Sequence, residues 1–348
     1  MILLTLRDLQ FRSMRFLIAV FGTGLVFSMV LMMSGMSAHF RREPERTISA
    51  VGAEVWVVKE GVKGPFSSTA TLPASLADDL RAQGADAADA VAIVRHAADV
   101  DGDSKDVMLF GHRRGGLGEP RLVSGRAATA RGELVATVES GLKTGASTDV
   151  GGMAFQVTGL TEQMTLMGTP MLFVDIADAQ ELVFAGQPVA TTVLAKGTVP
   201  QLPGTRPMTE AEAVADALRP MEQAVGAIDI MLALLWAVAA SIIGAVVYLS
   251  ALERARDFAV LKATGARNRA LLFSLAVQST LSAVLAAFLA MALSIGLVPM
   301  FPIPMTIPVS AYVQLPLLAL AAGLLASLGG LRKAVGVDPA LAFSGPGG

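Results

Sequence analysis

The chain of 348 residues contains no cysteine. This absence excludes disulfide bonds, thiolate metal sites and cysteine nucleophiles. Charged residues are also scarce, at 16% of the chain, whereas a soluble globular protein has about a quarter. The formal net charge of −2 argues against a chain that binds nucleic acid through its overall charge. No G-x-x-x-x-G-K-[ST] pattern occurs, so we expect no P-loop for ATP and no enzyme in this chain.

Metal-binding patterns are weak. The three histidines do not have the spacing of a metal site. They are His39, His96 and His112. Acidic residues alternate from Asp99 to Asp103 as in a calcium loop, but Ser104 stands where glycine is required and no glutamate closes the loop. A hairpin turn at Asp101-Gly102 is the favoured interpretation, and we expect neither a metal nor a cofactor in this chain.

Hydrophobic residues make up 53% of the chain and are concentrated in long runs. Four runs reach the length of about 20 residues that a helix needs to span a bilayer. A cleaved signal peptide is the alternative for the first run, since Arg7, Arg12 and Arg15 precede it and its last residues, 34–38, include small ones suited to cleavage. That run is too long for a signal peptide, and Ile2, Leu6 and Leu9 recur at helical spacing. We therefore predict an interfacial helix that leads into a permanent span.

The basic residues between the runs predict the orientation. Arginines precede the first run, five Lys/Arg lie in 251–269, and Arg332 and Lys333 follow the fourth run. Both termini in the cytoplasm would place all three clusters there, as the positive-inside rule requires. Arg41, Arg42 and Arg46 argue the other way, but they begin a long loop, and long domains translocate largely regardless of charge.

The long loop predicts a folded α+β domain outside the cytoplasm. Strands are expected at 54–59, on either side of Asp101-Gly102, and at 133–138, 153–160, 170–175 and 189–196, with helices at 72–83 and 177–184. Arg113 and Arg114 are interpreted as part of a flexible, solvated basic loop. Thr209 and Glu212 have the spacing of a capping box, and Arg219-Pro220 predicts a kink or restart of the helix that follows.

The polar segment 251–269, ALERARDFAVLKATGARNR, interrupts the apolar runs. Leu252, Ala255 and Ala259 recur at helical spacing, so one side of a helix is apolar and the other carries mixed charge. Gly265 suits the end of that helix. The pattern predicts a short helix on the membrane surface that docks in a groove of a partner, whereas charge alone would indicate no more than an ordinary cytoplasmic loop.

The order of residues in this segment resembles the MacB-type and FtsX-like permeases of ABC transporters, which typically read E-R-x-x-E-I-x-x-L-R-A-x-G-A. Asp257, Phe258 and Lys262 replace a glutamate, an isoleucine and an arginine of that pattern. The segment 132–184 and the tail from Val337 to Phe343 are similar to the family more weakly. The resemblance implies a set of residues that couple to an ATPase. They are Glu253, Arg254, Arg256, Asp257, Phe258, Leu261, Lys262, Ala263, Gly265 and Ala266.

Together these observations predict an α-helical membrane protein with four transmembrane helices and an α+β exoplasmic domain between spans one and two. The predicted organisation is an interfacial helix (1–15), four spans (16–38, 229–249, 270–298 and 311–331), a porter-like exoplasmic domain with a stalk (39–228), a cytoplasmic coupling helix (250–269) and a cytoplasmic tail (332–348).

The resemblance implies a permease subunit in the inner or plasma membrane. A separate cytoplasmic ATPase subunit would bind the ATP, and its hydrolysis would move the exoplasmic domain, a mechanism called mechanotransmission. Export or release of a lipid, peptide or drug-like substrate is expected. The implied partners are a second permease copy, as a homodimer or a related chain, membrane lipids and a membrane-fusion protein, with no nucleic acid.

Other functions stay open on the sequence. An FtsX-like regulator of a cell-wall hydrolase would have the same topology. A receptor with an outer ligand-binding domain would need a signalling partner, because the cytoplasmic segments are too short for a kinase. A small-solute importer is disfavoured, since the chain has no loop of the type found in those importers.

Overall fold

The computed structural model describes residues 13–162, 164–253, 268–301 and 305–335. The chain divides into two compact units. The helical unit comprises Met1–His39 and Val225–Gly348, and the α/β domain comprises Phe40–Ala224. The domain boundaries predicted from the sequence remain predictions.

The helices are α1 (Ser13–Val51), α2 (Leu76–Ala82), α3 (Ile176–Phe184), α4 (Glu210–Leu218), α5 (Glu222–Glu253), α6 (Asn268–Leu297) and α7 (Val309–Val335). Within the described residues, three helical stretches are long and apolar enough to cross a membrane. They are Leu17–Val51, Glu210–Val246 and Ser279–Met300, while the apolar stretch Val309–Ala321 is shorter. Three candidate spans are therefore supported, and the count of four stays a prediction.

The first helix is apolar on more than one side. Val20, Phe27 and Leu31 are buried in the helical unit, whereas Phe21 and Leu25 are more than half exposed. A helix that is hydrophobic all round belongs either in a protein core or in a membrane. The exposed apolar side chains of α1 suit contact with lipid.

Small residues bring the helices of this unit close together. Ala283, Ala286, Ala287 and Ala290 form a fully buried stripe along α6. A Cβ on Gly24 of α1 would lie only 2.8 Å from Cδ2 of Leu289. Because lipid is as apolar as leucine, helices in a membrane associate through such close packing rather than through hydrophobic exclusion from water.

In the described residues, the α/β domain has thirteen strands. They are β1 (Val55–Lys59), β2 (Leu72–Pro73), β3 (Ala87–Val100), β4 (Asp103–His112), β5 (Leu122–Gly125), β6 (Glu133–Thr137), β7 (Ser147–Val150), β8 (Met153–Thr161), β9 (Thr165–Leu166), β10 (Thr169–Asp175), β11 (Val189–Ala190), β12 (Thr192–Lys196) and β13 (Thr205–Thr209).

Eleven of these strands form one mixed sheet, in the order β13-β1-β12-β3-β4-β10-β6-β8-β5. In addition, β7 pairs with β3 and β8, and β9 pairs with β10. The pairs β4–β10 and β6–β8 are parallel, and the other pairs are antiparallel. Strands β2 and β11 form a separate two-stranded sheet.

Alternating side chains supply a core on each face of the sheet. One core contains Trp56, Phe110 and Phe173 and includes residues from the end of α1 and from α4. The other contains Leu109 and Phe155 and includes residues of α3. Residues of α2 pack in a third cluster with alternate positions of β1 and β12.

The predicted hairpin at Asp101-Gly102 is confirmed. These two residues have φ angles of 56° and 87°, and Val100 pairs with Asp103. Two consecutive positive φ angles are typical of a type I′ turn, which aspartate followed by glycine accommodates well. The backbone N–H of Gly102 donates to Oδ1 of Asp99 at 2.8 Å, so that carboxylate stabilises the turn.

Two predicted elements differ in extent. The helix expected over 72–83 is wrong at its start, because Leu72–Pro73 form β2 and α2 begins at Leu76. The strand expected over 189–196 is interrupted at Thr191, whose backbone N–H and hydroxyl both donate to the carbonyl oxygen of Val91. Thr191 thus bonds to β3 in the gap between β11 and β12.

Candidate functional site

The predicted coupling segment lies almost wholly outside the described residues. Glu253 is the last residue of α5, and α6 begins at Asn268. Its other predicted residues, Arg254, Arg256, Asp257, Phe258, Leu261, Lys262, Ala263, Gly265 and Ala266, fall within 254–267 and are not described. The predicted interfacial helix (1–15) as far as residue 12 and the predicted tail (332–348) from residue 336 also lie outside the described residues.

A capping box begins the helix that leads out of the α/β domain. The hydroxyl of Thr209 accepts a hydrogen bond from the backbone N–H of Glu212, and the Glu212 carboxylate accepts one from the backbone N–H of Thr209 at 2.8 Å. The two side chains thus satisfy amide groups that the first turn of α4 leaves without helical partners. The predicted capping box is confirmed.

The chain breaks its helical path just before the apolar part of α5. Helix α4 ends at Leu218, a single 3₁₀ turn covers Arg219–Met221, and α5 begins at Glu222. Pro220 has no backbone N–H to donate to a continuous helix. The restart that Arg219-Pro220 predicts is confirmed.

A buried carboxylate ties α4 to a loop after β1. Asp216 is 1% exposed, and its Oδ2 accepts hydrogen bonds from the backbone N–H groups of Phe66 at 2.9 Å and Ser67 at 3.2 Å. The Ser67 hydroxyl donates to the same carboxylate, and Nε of Arg219 lies 3.6 Å from it. A Cβ on Gly64 would lie 2.2 Å from the Asp216 side chain, so glycine is needed there.

This role of Asp216 is absent from the sequence predictions. A signal was present, because Asp216 lies three residues after Ala213 and beside Ala217, both fully buried on the inner side of α4. An acidic residue on the apolar side of a helix is expected to have hydrogen-bond partners. Those partners were not identifiable, since Phe66 and Ser67 lie far away in the sequence.

The end of α1 is anchored in the α/β domain as well. The Thr47 hydroxyl donates to the carbonyl oxygen of Thr165 at 2.7 Å, and the backbone N–H of Gly168 donates to Oε1 of Glu43 at 2.7 Å. Ile48 and Val51 are buried in the core on that face of the sheet. The last turns of α1 are thus part of the domain, held by both polar and apolar contacts.

The loop after β4 is held by ion pairs. Nε of Arg113 lies 2.7 Å from Oδ1 of the buried Asp89, and Nε of Arg114 lies 2.6 Å from Oδ2 of Asp175. The other Asp89 oxygen accepts from the backbone N–H of Leu117 at 2.8 Å. The interpretation as a loop with solvated basic side chains is confirmed, since Arg113 and Arg114 are 55% and 40% exposed, but their ion pairs were not predicted. Both acidic partners lie on other strands, so the local sequence pattern could not predict these ion pairs.

Comparison with known proteins identifies the family. The FtsX-like permease C-terminal family matches residues 230–339. The uncharacterized ABC transporter permease Rv2563 of Mycobacterium tuberculosis (strain ATCC 25618 / H37Rv) is 41% identical over 99% of this chain and all of its own length. The uncharacterized ABC transporter permease Rv0072 of the same strain is 38% identical with the same coverage. The chain belongs to the FtsX-like ABC transporter permeases.

Two solved structures are also similar to the permease. The crystal structure of the periplasmic region of MacB from Actinobacillus actinomycetemcomitans covers 48% of this chain and 94% of its own, at 13% identity and a TM-score of 0.37. The extracellular domain of the ABC-type transporter YknZ from Gram-positive bacteria covers 50% and 94%, at 14% identity and a TM-score of 0.32. The family predicted from the segment 251–269 is confirmed by the relatives.

His112 of the permease is buried between aromatic rings. Its ring centroid lies 6.3 Å from that of Phe110 and 6.2 Å from that of Phe173. Burial lowers the pKa of His112 below the ordinary 6.5, although a hydrogen bond to the Arg113 carbonyl oxygen and nearby acidic residues act the other way. In the described part of the chain, no cluster of three His, Asp or Glu side chains has metal-binding geometry. His112 is therefore best described as a neutral core residue.

Two serines of α6 donate hydrogen bonds to carbonyl oxygens of their own helix. The Ser279 hydroxyl donates to the carbonyl oxygen of Ala276 in the same helix at 3.0 Å. Ser294 does the same with Met291, and its oxygen also lies 3.1 Å from the hydroxyl oxygen of Tyr312 in α7. One polar contact between α6 and α7 thus involves Ser294, a residue that the sequence predictions did not select.

Proposed function

We propose that the permease couples ATP hydrolysis in a separate ATPase subunit to movement of its α/β domain. The observation that carries the proposal is the sequence of residues from Glu253 to Ala266, which lies inside the region matched by the FtsX-like family. The sequence itself contains no P-loop. A nucleotide-binding partner must then supply the ATP chemistry.

The coupling residues would form the docking surface for that partner. Apolar Phe258 and Leu261 would enter a groove of the ATPase, and the charges of Glu253, Arg254 and Lys262 would set the register of docking. Gly265 would end the helix and allow the chain to turn into α6. This assignment rests on the sequence pattern, because these residues lie outside the described part of the chain.

Movement would reach the α/β domain along the two helices that connect with it in sequence. The final turns of α1 are bonded to the domain through Glu43 and Thr47. The segment before α5 is bonded to it through the capping box and Asp216. Anchors of this kind are needed if a displacement of a helix is to move the domain rather than only bend a linker.

The proposed orientation in the membrane rests on the charge pattern of the sequence. Both termini and the coupling segment would lie in the cytoplasm, and the α/β domain would lie on the outer side of the inner or plasma membrane. Two permease copies with two ATPase subunits would form the working unit, with membrane lipids around them and a membrane-fusion protein as a further partner in export. The substrate would be a lipid, a peptide or a drug-like molecule that is exported or released without passing between charged groups in the spans.

The proposal predicts that Glu253→Lys and Gly265→Trp each abolish association with the ATPase while the permease still inserts into the membrane. The measurement is purification of the tagged permease from its native host in mild detergent, followed by mass spectrometry. The intact permease should recover a P-loop ATPase in about equal amount. Glu162→Lys and Gly226→Trp are matched controls, because Glu162 is exposed in the α/β domain and an added Cβ at Gly226 meets no atom within 4 Å.

Recovery of the same ATPase with both coupling variants would remove the role assigned to Glu253 and Gly265. Recovery of a cell-wall hydrolase together with the ATPase would favour the regulator over the exporter. The absence of any P-loop protein in the purified material would contradict the proposed function as a whole.

A further inference from the structure

Strand β3 has a free edge in the middle of the sheet. Its residues 87–91 pair with β12, and the next contact along that edge is Ala98 with Val150 of β7. The opposite edge of β3 is paired with β4 from Ala92 to Val100. The edge facing away from β4 therefore has no strand beside it between Ile93 and Ala97 in the described residues.

The direction of the backbone groups follows from the hairpin. Val100 and Asp103 flank the two-residue turn and form a hydrogen-bonded pair, so the N–H and C=O groups of Val100 point towards β4. The N–H and C=O groups of successive residues point to opposite sides of a strand, so those of Ile93 and Arg95 point away from β4. Two hydrogen bonds are consistent with these directions. The backbone N–H of Ile93 donates to the hydroxyl oxygen of Thr191 at 2.9 Å, and the backbone N–H of Thr191 donates to the carbonyl oxygen of Val91 at 2.9 Å.

Among the described residues, the N–H and C=O of Arg95 therefore face the gap between β12 and β7. A strand edge with free donors and acceptors is a template for another extended chain. Such addition of a strand is a recurrent way of binding peptides.

The free edge opens into a cleft in the described part of the α/β domain. The cleft has a volume of about 1010 Å³ and contacts both faces of β3. On one side it is lined by Ile93, Arg95 and Met108, and on the other by Val94 and Phe184 of α3. Side chains of an added strand alternate between two faces, and this cleft offers room on both.

The cleft is also positively charged. Lys63, Arg95 and Arg219 line it, and Glu222 is the acidic residue among its described lining. Nε of Arg219 lies 3.6 Å from Oδ1 of Asp216, which partly neutralises its charge. Nη2 of Arg95 lies 3.4 Å from the hydroxyl oxygen of Thr169. A bound segment would gain from carboxylates on the side of Arg95 and from apolar side chains on the side of Val94 and Phe184.

We propose that this cleft binds an extended, acidic peptide segment of a partner protein, which pairs with β3 at Arg95. One backbone N–H of the segment donates to the carbonyl oxygen of Arg95, and one backbone carbonyl oxygen of the segment accepts from the N–H of Arg95. Strands rise by about 3.3 Å per residue, so the gap between Val91 and Ala98 admits roughly three to five residues. The inference does not depend on the ATPase coupling proposed above, since every lining residue lies in the α/β domain.

The test uses the full-length permease in lipid nanodiscs and a fluorescein-labelled peptide of sequence Val-Glu-Val-Glu-Val. One register places its glutamates beside Arg95 and its valines beside Val94. Fluorescence anisotropy should show saturable binding. Binding should weaken at least about 10-fold when alternate amide nitrogens of the peptide are methylated, because strand pairing then loses its donors. A Val-Lys-Val-Lys-Val peptide should bind at least about 10-fold more weakly as well.

Two variants test the same contact from the protein side. Arg95→Pro removes the free N–H without removing a bond to β4, and it should weaken binding of the acidic peptide at least about 10-fold. Lys63→Glu should also weaken it. Lys105→Glu is the matched control, because Lys105 is an exposed cation on β4 outside the cleft, and its substitution should leave binding unchanged.

Hydrogen exchange gives a readout at the residue itself. The Arg95 amide should exchange rapidly in the free permease and become protected when the peptide is added. Equal binding of the methylated peptide, or unchanged exchange at Arg95 under saturation, would overturn the proposal even if Arg95→Pro failed to fold. Binding of dodecyl phosphate in the cleft without binding of the acidic peptide would overturn it in favour of an anionic amphiphile.

Discussion

The pKa of His112 is lowered because the ring is buried, and we expect this to make the α/β domain sensitive to mild acid. The unfolded chain takes up the proton at the ordinary pKa of 6.5, whereas the folded chain takes it up only at lower pH. Stability is therefore expected to fall as the pH drops below about 6.5, until the lowered pKa of the folded state is passed. His112→Phe should remove this part of the pH dependence, since Phe cannot be protonated.

The measurement is the melting temperature of the full-length permease in detergent between pH 7.5 and 5. The slope with pH should be smaller in His112→Phe than in the wild type. His96→Phe is the matched control and should keep the wild-type slope, because His112 remains in place. Equal slopes in all three proteins would mean that protonation of His112 contributes nothing to acid stability.

Asp216 should contribute more to stability than an exposed aspartate does. Asp216→Ala leaves the backbone N–H groups of Phe66 and Ser67 without their acceptor, which costs about 1–3 kcal/mol for each group left buried. Each kcal/mol lowers the melting temperature of a domain of this size by about 2–4 °C. Asp216→Asn keeps one acceptor oxygen, so its melting temperature should lie between those of the wild type and Asp216→Ala.

Asp79→Ala is the control for this prediction, since Asp79 is exposed on α2. Thermal melting of the full-length protein separates the variants. If Asp216→Ala melts at the same temperature as Asp79→Ala, the loop at 61–69 is not held by this carboxylate.

At this scale, the sequence predicts residues whose partners are local. The Asp101-Gly102 turn and the Thr209–Glu212 capping box are predictable because each is completed within four residues. Asp216 and the pair Arg113–Asp89 are not, because their partners come from distant strands and loops. The coupling residues remain predictions, as they lie outside the described part of the chain.

Among the elements, α1 approaches α6 closely at Gly24. Leucine at this position would meet Leu289 and the carbonyl oxygen of Ala286, so Gly24→Leu should destabilise the helical unit by about 1–3 kcal/mol through overpacking. Gly22→Leu is a matched control in the same helix, because an added Cβ at Gly22 meets no atom within 4 Å. The control is expected to be neutral or slightly stabilising, since leucine is the better helix former.

Thermal stability of both glycine variants in detergent, followed by size-exclusion chromatography, gives the comparison. A larger loss for Gly22→Leu than for Gly24→Leu would contradict the contact between α1 and α6. The pair separates packing from helix propensity, because both substitutions change propensity in the same direction.

The elements with a strong local pattern were predictable from the sequence. Strands near 133–138, 153–160 and 170–175 match β6, β8 and β10 within about a residue. The two-residue strands β2 and β9 carry no periodicity to detect. The parallel pairing of β4 with β10 joins residues far apart in sequence and depends on the whole sheet. The continuation of α1 to Val51 was not predicted, because the charged residues after 40 resemble the start of a loop.

For the whole molecule, the proposed function predicts that ATP binding moves the α/β domains of two permease copies. The chain has no cysteine, so Asp79→Cys provides a single site for a spin label on an exposed helix. Pulsed electron paramagnetic resonance on the purified permease with its ATPase should show a different distance distribution with ATP and vanadate than without nucleotide. The label reports on the domain itself, because α2 packs on the sheet.

The Gly265→Trp variant is the control for that measurement and should give one distribution under both conditions. An unchanged distribution in the unmodified permease, with ATP hydrolysis intact, would contradict movement of the α/β domain. If no dipolar coupling between two labels were detected, the proposed second permease copy would be contradicted.

The position of β1 in the sheet has a consequence for synthesis of the chain on the ribosome. Both of its neighbours, β12 and β13, are encoded near the end of the domain, and Val57 pairs with Val193 and Pro207. The apolar strand Val55–Val58 must therefore wait until nearly all of the domain has been made before it is covered. A chain stopped before residue 209 would expose this strand to proteases and chaperones. Assembly of the domain should thus be completed late in its synthesis.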